Sequence, residues 1–231
     1  MYREKKVDDS PVVIDGTRYF LYLAGISGIG LFCGWIAFDI TVLMAVLWIF
    51  SLIVFLTGLF VLFFFRNPKR ENTAHAHAII SPADGKVLSI TEMDENDFIG
   101  GKAVKVSIFL SLFNVHINRS PIEGTIKYHL YREGQMLPAF KSHASDINER
   151  NTIGIESQDG YRILVHQITG FVARRIVWWV KPGDSLARGE RFGLIRFGSC
   201  TEIVMPYGTQ ISVAVGQKVR GGITIIGEMN K

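Results

Sequence analysis

Cysteine is scarce in this sequence: 231 residues hold two, Cys33 and Cys200. Two thiols cannot build a disulfide framework, which fits a reducing compartment. A strong charge of one sign is also missing. Twenty-five Lys and Arg against 21 Asp and Glu leave a net charge of +4. So modest and dispersed an excess gives no nucleic-acid footprint, although it can assist docking on anionic lipids. Clustered metal ligands are lacking too. The pair His75 and His77 has no Cys, Asp or Glu directly beside it, so no metal is assigned. Finally, charge is almost absent from one long stretch: between Arg18 and Arg66 the only charged residue is Asp39.

That stretch, residues 19–65, is too long for one membrane-crossing helix. A helix rises ~1.5 Å per residue and a bilayer core is ~30 Å thick, so about 20 residues suffice. The segment is expected to double back near Asp39-Ile40-Thr41, giving two antiparallel spans, Tyr19–Phe38 and Val42–Phe65. Gly25, Gly28, Gly30 and Gly34 in the first span would allow close helix contact. Arg3, Lys5, Lys6 and Arg18 flank one end, and Arg66, Lys69 and Arg70 the other. Positive charge on both sides predicts a hairpin in the cell membrane with both ends, and the domain that follows, in the cytoplasm. The chain thus divides into residues 1–18, a membrane hairpin 19–65 and one globular domain 66–231.

After Pro68 the pattern changes to short alternating runs separated by turn residues. Ala78–Ser81, Lys86–Ile90, Ala103–Leu110, Gly124–Tyr131, Thr152–Ser157, Arg162–Ile168, Arg174–Val180, Arg191–Phe197, Glu202–Pro206 and Gln210–Val215 read as strands. Pro82-Ala83-Asp84-Gly85 and Lys181-Pro182-Gly183-Asp184 read as turns, and Met136–Lys141 as a short helix. Val180–Gly189 echoes Val213–Gly222: a strand, a glycine turn, an apolar residue, then another glycine. Barrel-sandwich hybrid domains share that pattern. The lysine that carrier domains of this kind present at a hairpin tip is missing, so the echo speaks of fold. The fold class is mainly β, a barrel-sandwich-hybrid-like domain after a helical hairpin.

Gly198-Ser199-Cys200 stands between two apolar runs near the C-terminus. Glycine admits backbone angles closed to other residues, and the serine hydroxyl that follows can reach back to the glycine carbonyl. By itself such a pair is most often a turn. Other runs surround it: Phe63-Phe64-Phe65-Arg66-Asn67-Pro68-Lys69-Arg70, Ser81-Pro82-Ala83-Asp84-Gly85-Lys86-Val87, Phe109–Pro121 with Asn114-Val115-His116-Ile117-Asn118-Arg119, Asn148-Glu149-Arg150-Asn151, and Gln167-Ile168-Thr169-Gly170-Phe171-Val172-Ala173-Arg174-Arg175-Ile176. Together, from about Phe63 to Gly222, they resemble the short-form phosphatidylserine decarboxylases, pyruvoyl-dependent membrane enzymes.

The resemblance implies a proenzyme that cuts itself between Gly198 and Ser199. Ser199 Oγ would attack the Gly198 carbonyl and turn the amide into an ester. Loss of the Ser199 Cα proton would then expel the Gly198 carboxylate. The dehydroalanine left behind would hydrolyse, with loss of ammonia, to a covalent pyruvoyl cofactor. The β chain, 1–198, and the α chain, 199–231, would remain together. A Schiff base between the pyruvoyl carbonyl and the serine headgroup would then release CO2 and give phosphatidylethanolamine, a step of phospholipid biosynthesis. Asp84 and His116 carry over as the acid–base residues; Arg119 and Asn118 are expected to bind the phospholipid substrate. Longer family members have a second histidine where this chain has Arg119, and arginine cannot act as a base at neutral pH. Arg119 could instead hold the lipid phosphate through its planar fork. His166 is a reserve base, with core packing as its plainer role. Cys200 replaces a commoner hydroxyl residue; its side chain either polarises the scissile carbonyl or takes no part.

Two rival readings stand beside this one. A pyruvoyl enzyme for another amino-acid-derived substrate, such as archaetidylserine, shares the chemistry. A membrane-tethered barrel-sandwich adaptor explains the hairpin and the echo but not Gly198-Ser199 with Asp84 and His116. Self-association is left open.

Overall fold

The computed structural model describes residues 10–137, 147–170, 175–196 and 199–229. They form two compact units, divided between Lys69 and Arg70. The first is a helical hairpin, α1 (Ile14–Ile36) and α2 (Thr41–Phe64). Both helices are long and apolar enough to cross a membrane. α1 starts five residues ahead of the expected boundary at Tyr19. Its first turn holds Asp15, where a negative charge suits the helix dipole. The open end of the hairpin is closed by backbone bonds from Val13 N–H to Phe65 O (2.9 Å) and Asn67 N–H to Pro11 O (2.7 Å).

Polar and small residues draw the two helices together. Ser27 Oγ donates to Ser51 O at 2.8 Å. A Cβ at Gly30 would lie against Ser51 Oγ, and one at Gly34 would lie 2.5 Å from Trp48. Gly25 and Gly28 face open space. Only half of the glycines expected at the helix contact are therefore used there.

The described part of the second unit is mainly β, and all its named strand pairs are antiparallel. Its strands are β1 (Ala78–Ile80), β2 (Gly85–Glu95), β3 (Gly101–Leu110), β4 (Ile117–Arg119), β5 (Gly124–Arg132), β6 (Arg150–Glu156) and β7 (Arg162–Thr169). There follow β8 (Arg175–Trp178), β9 (Ser185–Leu186), β10 (Arg191–Arg196), β11 (Ser199–Pro206), β12 (Gln210–Ile211), β13 (Lys218–Val219) and β14 (Ile225–Glu228). One eight-stranded sheet runs β13-β2-β3-β11-β7-β6-β5-β9, with two three-stranded sheets, β4-β10-β8 and β1-β14-β12. The mainly β class with an apolar N-terminal hairpin is as the sequence indicates. Met136 and Leu137, expected to open a helix, are not helical, and residues 138–141 of that expectation lie outside the described residues.

The core is built by period-2 alternation. Val106 and Ile108 on β3, Ile153 and Ile155 on β6, Ile163 and Val165 on β7, and Ile203 and Met205 on β11 face one apolar cluster. Their neighbours in sequence face outward.

The echo read in the sequence is a structural repeat. Gly183 and Gly216 have φ +95° and +90°, and Gly189 and Gly222 have +83° and +80°, angles that exclude most side chains. Between the glycines of each pair sits a two-residue strand, β9 or β13, and these two strands form the opposite edges of the large sheet. A second duplication accompanies it. Ser81-Pro82-Ala83-Asp84-Gly85 and Ser120-Pro121-Ile122-Glu123-Gly124 make the same turn. Ser81 Oγ donates to Ala83 O and Ser120 Oγ to Ile122 O, both at 2.7 Å. Gly222 N–H donates to Ser81 O and Gly189 N–H to Ser120 O, both at 2.8 Å. The halves differ in charge placement: Asp84 is buried, whereas Glu123 is exposed.

Candidate active site

Ser199 opens β11, a central strand of the large sheet. Its Cα partners are Leu110, the last residue of β3, and Thr169, the last residue of β7. Sequence reading began this strand at Glu202, because Ser199-Cys200-Thr201 lacks apolar alternation. Alternation nevertheless continues: Ser199 and Thr201 share the inward face of Ile203. Ser199 is fully buried, and its Oγ has no hydrogen-bond partner among the described residues. A buried hydroxyl committed to no other group suits a nucleophile. Gly198, its proposed cleavage partner, lies outside the described residues.

A chain of buried amides leads to this strand. His129 Nε2 bonds Asn151 Oδ1 (2.8 Å), Asn151 Nδ2 donates to Gln167 Oε1 (2.8 Å), and Gln167 Nε2 donates to Asn118 Oδ1 (2.8 Å). Asn118 Nδ2 then donates to Thr201 Oγ1 at 2.9 Å. Asn151, Gln167, Asn118 and Thr201 are all fully buried. Each amide accepts from one neighbour and donates to the next, so the dipoles point one way, toward Thr201. The last link ties β4 to β11. His116 and Ser199 each lie two residues from it. Asn118, expected to contact lipid, has its side-chain oxygen and nitrogen engaged in this chain.

His116 is buried just ahead of β4. Its Nδ1 lies 3.0 Å from Asn114 O. Nδ1 must be the donor there, so Nε2 is the basic nitrogen of the neutral ring. Asp84 stands elsewhere in the acid–base scheme. Its carboxylate takes the Arg70 fork, with Nη2 to Oδ2 at 2.8 Å, and the Gly221 N–H at 2.8 Å. No hydrogen bond joins Asp84 to His116 among the described residues. Arg119 belongs to the Asp84 cluster. Its Nη1 donates to Gly189 O (2.9 Å), and its backbone N–H to Pro82 O (2.9 Å). Burial first, then the Arg70 and Arg191 charges, pull the Arg119 pKa down to about 10, with Asp84 opposing. The guanidinium therefore stays charged at neutral pH.

Two candidates fall on the outward face of the sheet. Cys200 packs against Ile168, Leu88 and Phe109. Burial, then Glu202, pushes its thiol pKa up. His166 accepts or donates at 2.9 Å with Thr152 Oγ1, and burial, then Arg150, pulls its pKa down to about 3. Both side chains are separated from Ser199 Oγ by the sheet itself. Two open grooves, 360 and 290 Å³, lie at the β5–β9 edge and around His166; Ser199, His116 and Asp84 line neither. No group of three or more His, Cys, Asp or Glu suited to a metal occurs among the described residues.

The sequence model of the phosphatidylserine decarboxylase family matches residues 57–227. The chain belongs to the phosphatidylserine decarboxylase family. A phosphatidylserine decarboxylase proenzyme of Carboxydothermus hydrogenoformans is 58% identical over 180 residues, 78% of this chain and 84% of the relative. That of Symbiobacterium thermophilum is 43% identical over 85% of this chain and 94% of its own length. That of Citrifermentans bemidjiense is 37% identical over 95% of this chain and 97% of its own. Family membership makes the chain a carboxy-lyase. Within this decarboxylase fold, sequence reasoning missed Arg70, Asn151, Gln167 and Thr201 as parts of the site. For Asn151, Gln167 and Thr201 the usable signal was polar residues at inward positions close to strand ends, where the pattern demands apolar ones; Arg70, outside any strand, carried no such signal.

Proposed function

We propose that this chain is a self-cleaving phosphatidylserine decarboxylase, cut between Gly198 and Ser199, that converts phosphatidylserine to phosphatidylethanolamine and CO2. The observation that carries the proposal is the buried, uncommitted Ser199 Oγ at the head of a central strand, in a chain of this family. A hydroxyl so placed fits the precursor of a covalent pyruvoyl group: it is fully buried, and no neighbour among the described residues occupies the oxygen. When formed, that group supplies a carbonyl that takes the substrate amine and accepts the electrons released with CO2.

The remaining work falls to side chains. Ser199 Oγ is the nucleophile of the cut. His116 Nε2 takes and returns protons, at the Ser199 hydroxyl first and at the substrate Cα later. Asn114 fixes its tautomer. Asp84 supports the fold around the site through Arg70 and Gly221 rather than by orienting His116. Arg119 supplies a fixed positive charge suited to the lipid phosphate, and Asn118 acts through Thr201. The hairpin holds the enzyme in the cell membrane with the β domain on the cytoplasmic side. A reporter at Lys231 found outside the cell would refute that orientation.

Intact mass of the purified chain tests the central claim. Two chains are expected, the smaller starting at residue 199 with a pyruvoyl group and no free amine. Ser199→Ala should leave one chain. A cleaved Ser199→Ala protein would remove Ser199 as nucleophile. His116→Ala enzyme that becomes cleaved should release CO2 at least ~10²-fold more slowly per pyruvoyl group, the usual contribution of an acid–base residue. A parental rate would make His116 structural.

A further inference from the structure

Ser199 is buried, yet the substrate of the proposed reaction is part of a bilayer. One end of the large sheet reconciles the two. Ser199 marks that end, with its partners Leu110 and Thr169. Three residues beyond Leu110 stands Phe113, 69% exposed. Its turn is rigid: Asn114 Oδ1 accepts from Ser111 N–H (2.9 Å) and Ser111 Oγ (2.8 Å), and Asn114 N–H donates to Ser111 O (2.9 Å). On the other flank Asn148 Nδ2 donates to Thr169 O at 2.7 Å. Asn148 bridges to Gln135, and beside that bridge stand Met136 and Ile147, each 40% exposed. Apolar side chains thus stand exposed on both sides of the strand that Ser199 opens.

Cations share this end. Arg132 ends β5 opposite Arg150, which begins β6, and Arg175 begins β8. Among the described residues, the acids near them are Glu133, which is exposed, Glu149, which is buried and bonded by Tyr131 Oη at 2.8 Å, and Asp94, Glu95 and Asp97, which share a groove with Arg150. Apolar groups rimmed by arginine suit an interface of acyl chains and anionic headgroups, and such a surface attracts basic residues close to it.

We propose that this sheet end, marked by Phe113, Met136 and Ile147 with Arg132, Arg150 and Arg175, is the surface through which the β domain docks on an anionic bilayer. Docking there brings a lipid headgroup to the head of β11 and leaves the far end, after Pro206, in water. The inference rests on a lipid substrate, but its test needs no turnover.

The probe is an environment-sensitive fluorophore on Phe113→Cys or Ile147→Cys in the full-length Cys33→Ser chain. Cys200 is 4% exposed and escapes labelling. The control is Tyr207→Cys, 56% exposed just past the far end of β11. That strand places the two ends about 23 Å apart at ~3.3 Å per residue. In phosphatidylglycerol–phosphatidylcholine vesicles doped with spin-labelled lipid, probes at 113 and 147 should be quenched at least ~3-fold more than at 207. Purely zwitterionic vesicles should narrow the difference. Equal quenching at both ends, or stronger quenching at 207, overturns the docking surface. An unchanged difference on zwitterionic vesicles overturns its anionic character. If docking holds while the purified enzyme releases no CO2 from phosphatidylserine, the proposed activity fails and the surface stands.

Discussion

Asn118→Ala is the sharpest test of the amide chain. Asn118 is fully buried, accepts from Gln167 Nε2 at 2.8 Å and donates to Thr201 Oγ1 at 2.9 Å. Truncation strands the Gln167 donor in the core, which costs about 1–3 kcal/mol. Loss of the Thr201 bond adds roughly 0.5–1.5 kcal/mol. The sum, about 1.5–4.5 kcal/mol, should lower the thermal midpoint of a domain this size by roughly 3–18 °C. The assay is denaturant unfolding of the full-length Ser199→Ala chain, kept uncut so that one species unfolds. Trp178, whose ring centroid lies 5.4 Å from that of His129, reports from the start of the chain. Thr201→Val should cost about 1–3 kcal/mol by stranding Asn118 Nδ2. The double variant should cost less than the two singles added, by about 1 kcal/mol, because the changes share one bond. A cost under ~0.5 kcal/mol for Asn118→Ala, within the range of ordinary surface changes, or strict additivity with Thr201→Val, would refute the amides as one connected unit.

Cys200→Ser should process within about threefold of the parental rate, because residue 200 faces the opposite side of the sheet from Ser199. A change near the ~10²-fold effect of a lost oxyanion donor, read in a cleavage time course, would contradict that placement. His166 should weaken the fold in acid: its pKa is pulled from 6.5 down to about 3, so the unfolded chain binds a proton that the folded one refuses. The stability it secures is present above pH 6.5 and declines as pH falls from there toward about 3. His166→Gln should lose less stability than the parent between pH 6.5 and pH 4, and parallel pH curves would show that His166 does not titrate in this way.

Much of this fold is legible in sequence where a single period dominates. The hairpin is visible because charge vanishes from 47 residues between Arg18 and Arg66. The long strands show because Val and Ile alternate with polar residues. Two-residue strands such as β9 and β13 carry no period at all, and only their paired glycines betray them. The repeated Ser-Pro-x-acid-Gly turn was in plain view, yet one acid is buried and the other exposed, a difference no local pattern encodes. The site was legible in its residue types but not its partners. Asp84 and His116 stand out as motif residues, but the groups that hold Asp84, the Arg70 fork and the Gly221 N–H, come from 14 and 137 residues away. Gln167 and Asn151 lie in runs shared with the family, but sequence reading assigned them no role in the site. Only the register of β6, β7 and β11 places them in line.

β11 is hydrogen-bonded along both edges, to β3 over eight residue pairs and to β7 over six. Downstream of it, β13 closes one edge of the large sheet, and β14 pairs with β1. A chain cut at the head of β11 is therefore a complex of two interleaved pieces. Unfolding such a complex is also dissociation, so its midpoint depends on protein concentration, whereas the uncut chain unfolds independently of it. The short piece leaves with only the two-pair β12–β14 ladder of its own, and the long piece is left with a gap between β3 and β7. Reassembly would need a bimolecular insertion of a central strand into a collapsed partner. The mature enzyme then endures by slow unfolding rather than by repeated refolding. With the proposed cut, its working life is set by a rate, and each molecule has a single opportunity to fold: before the cut.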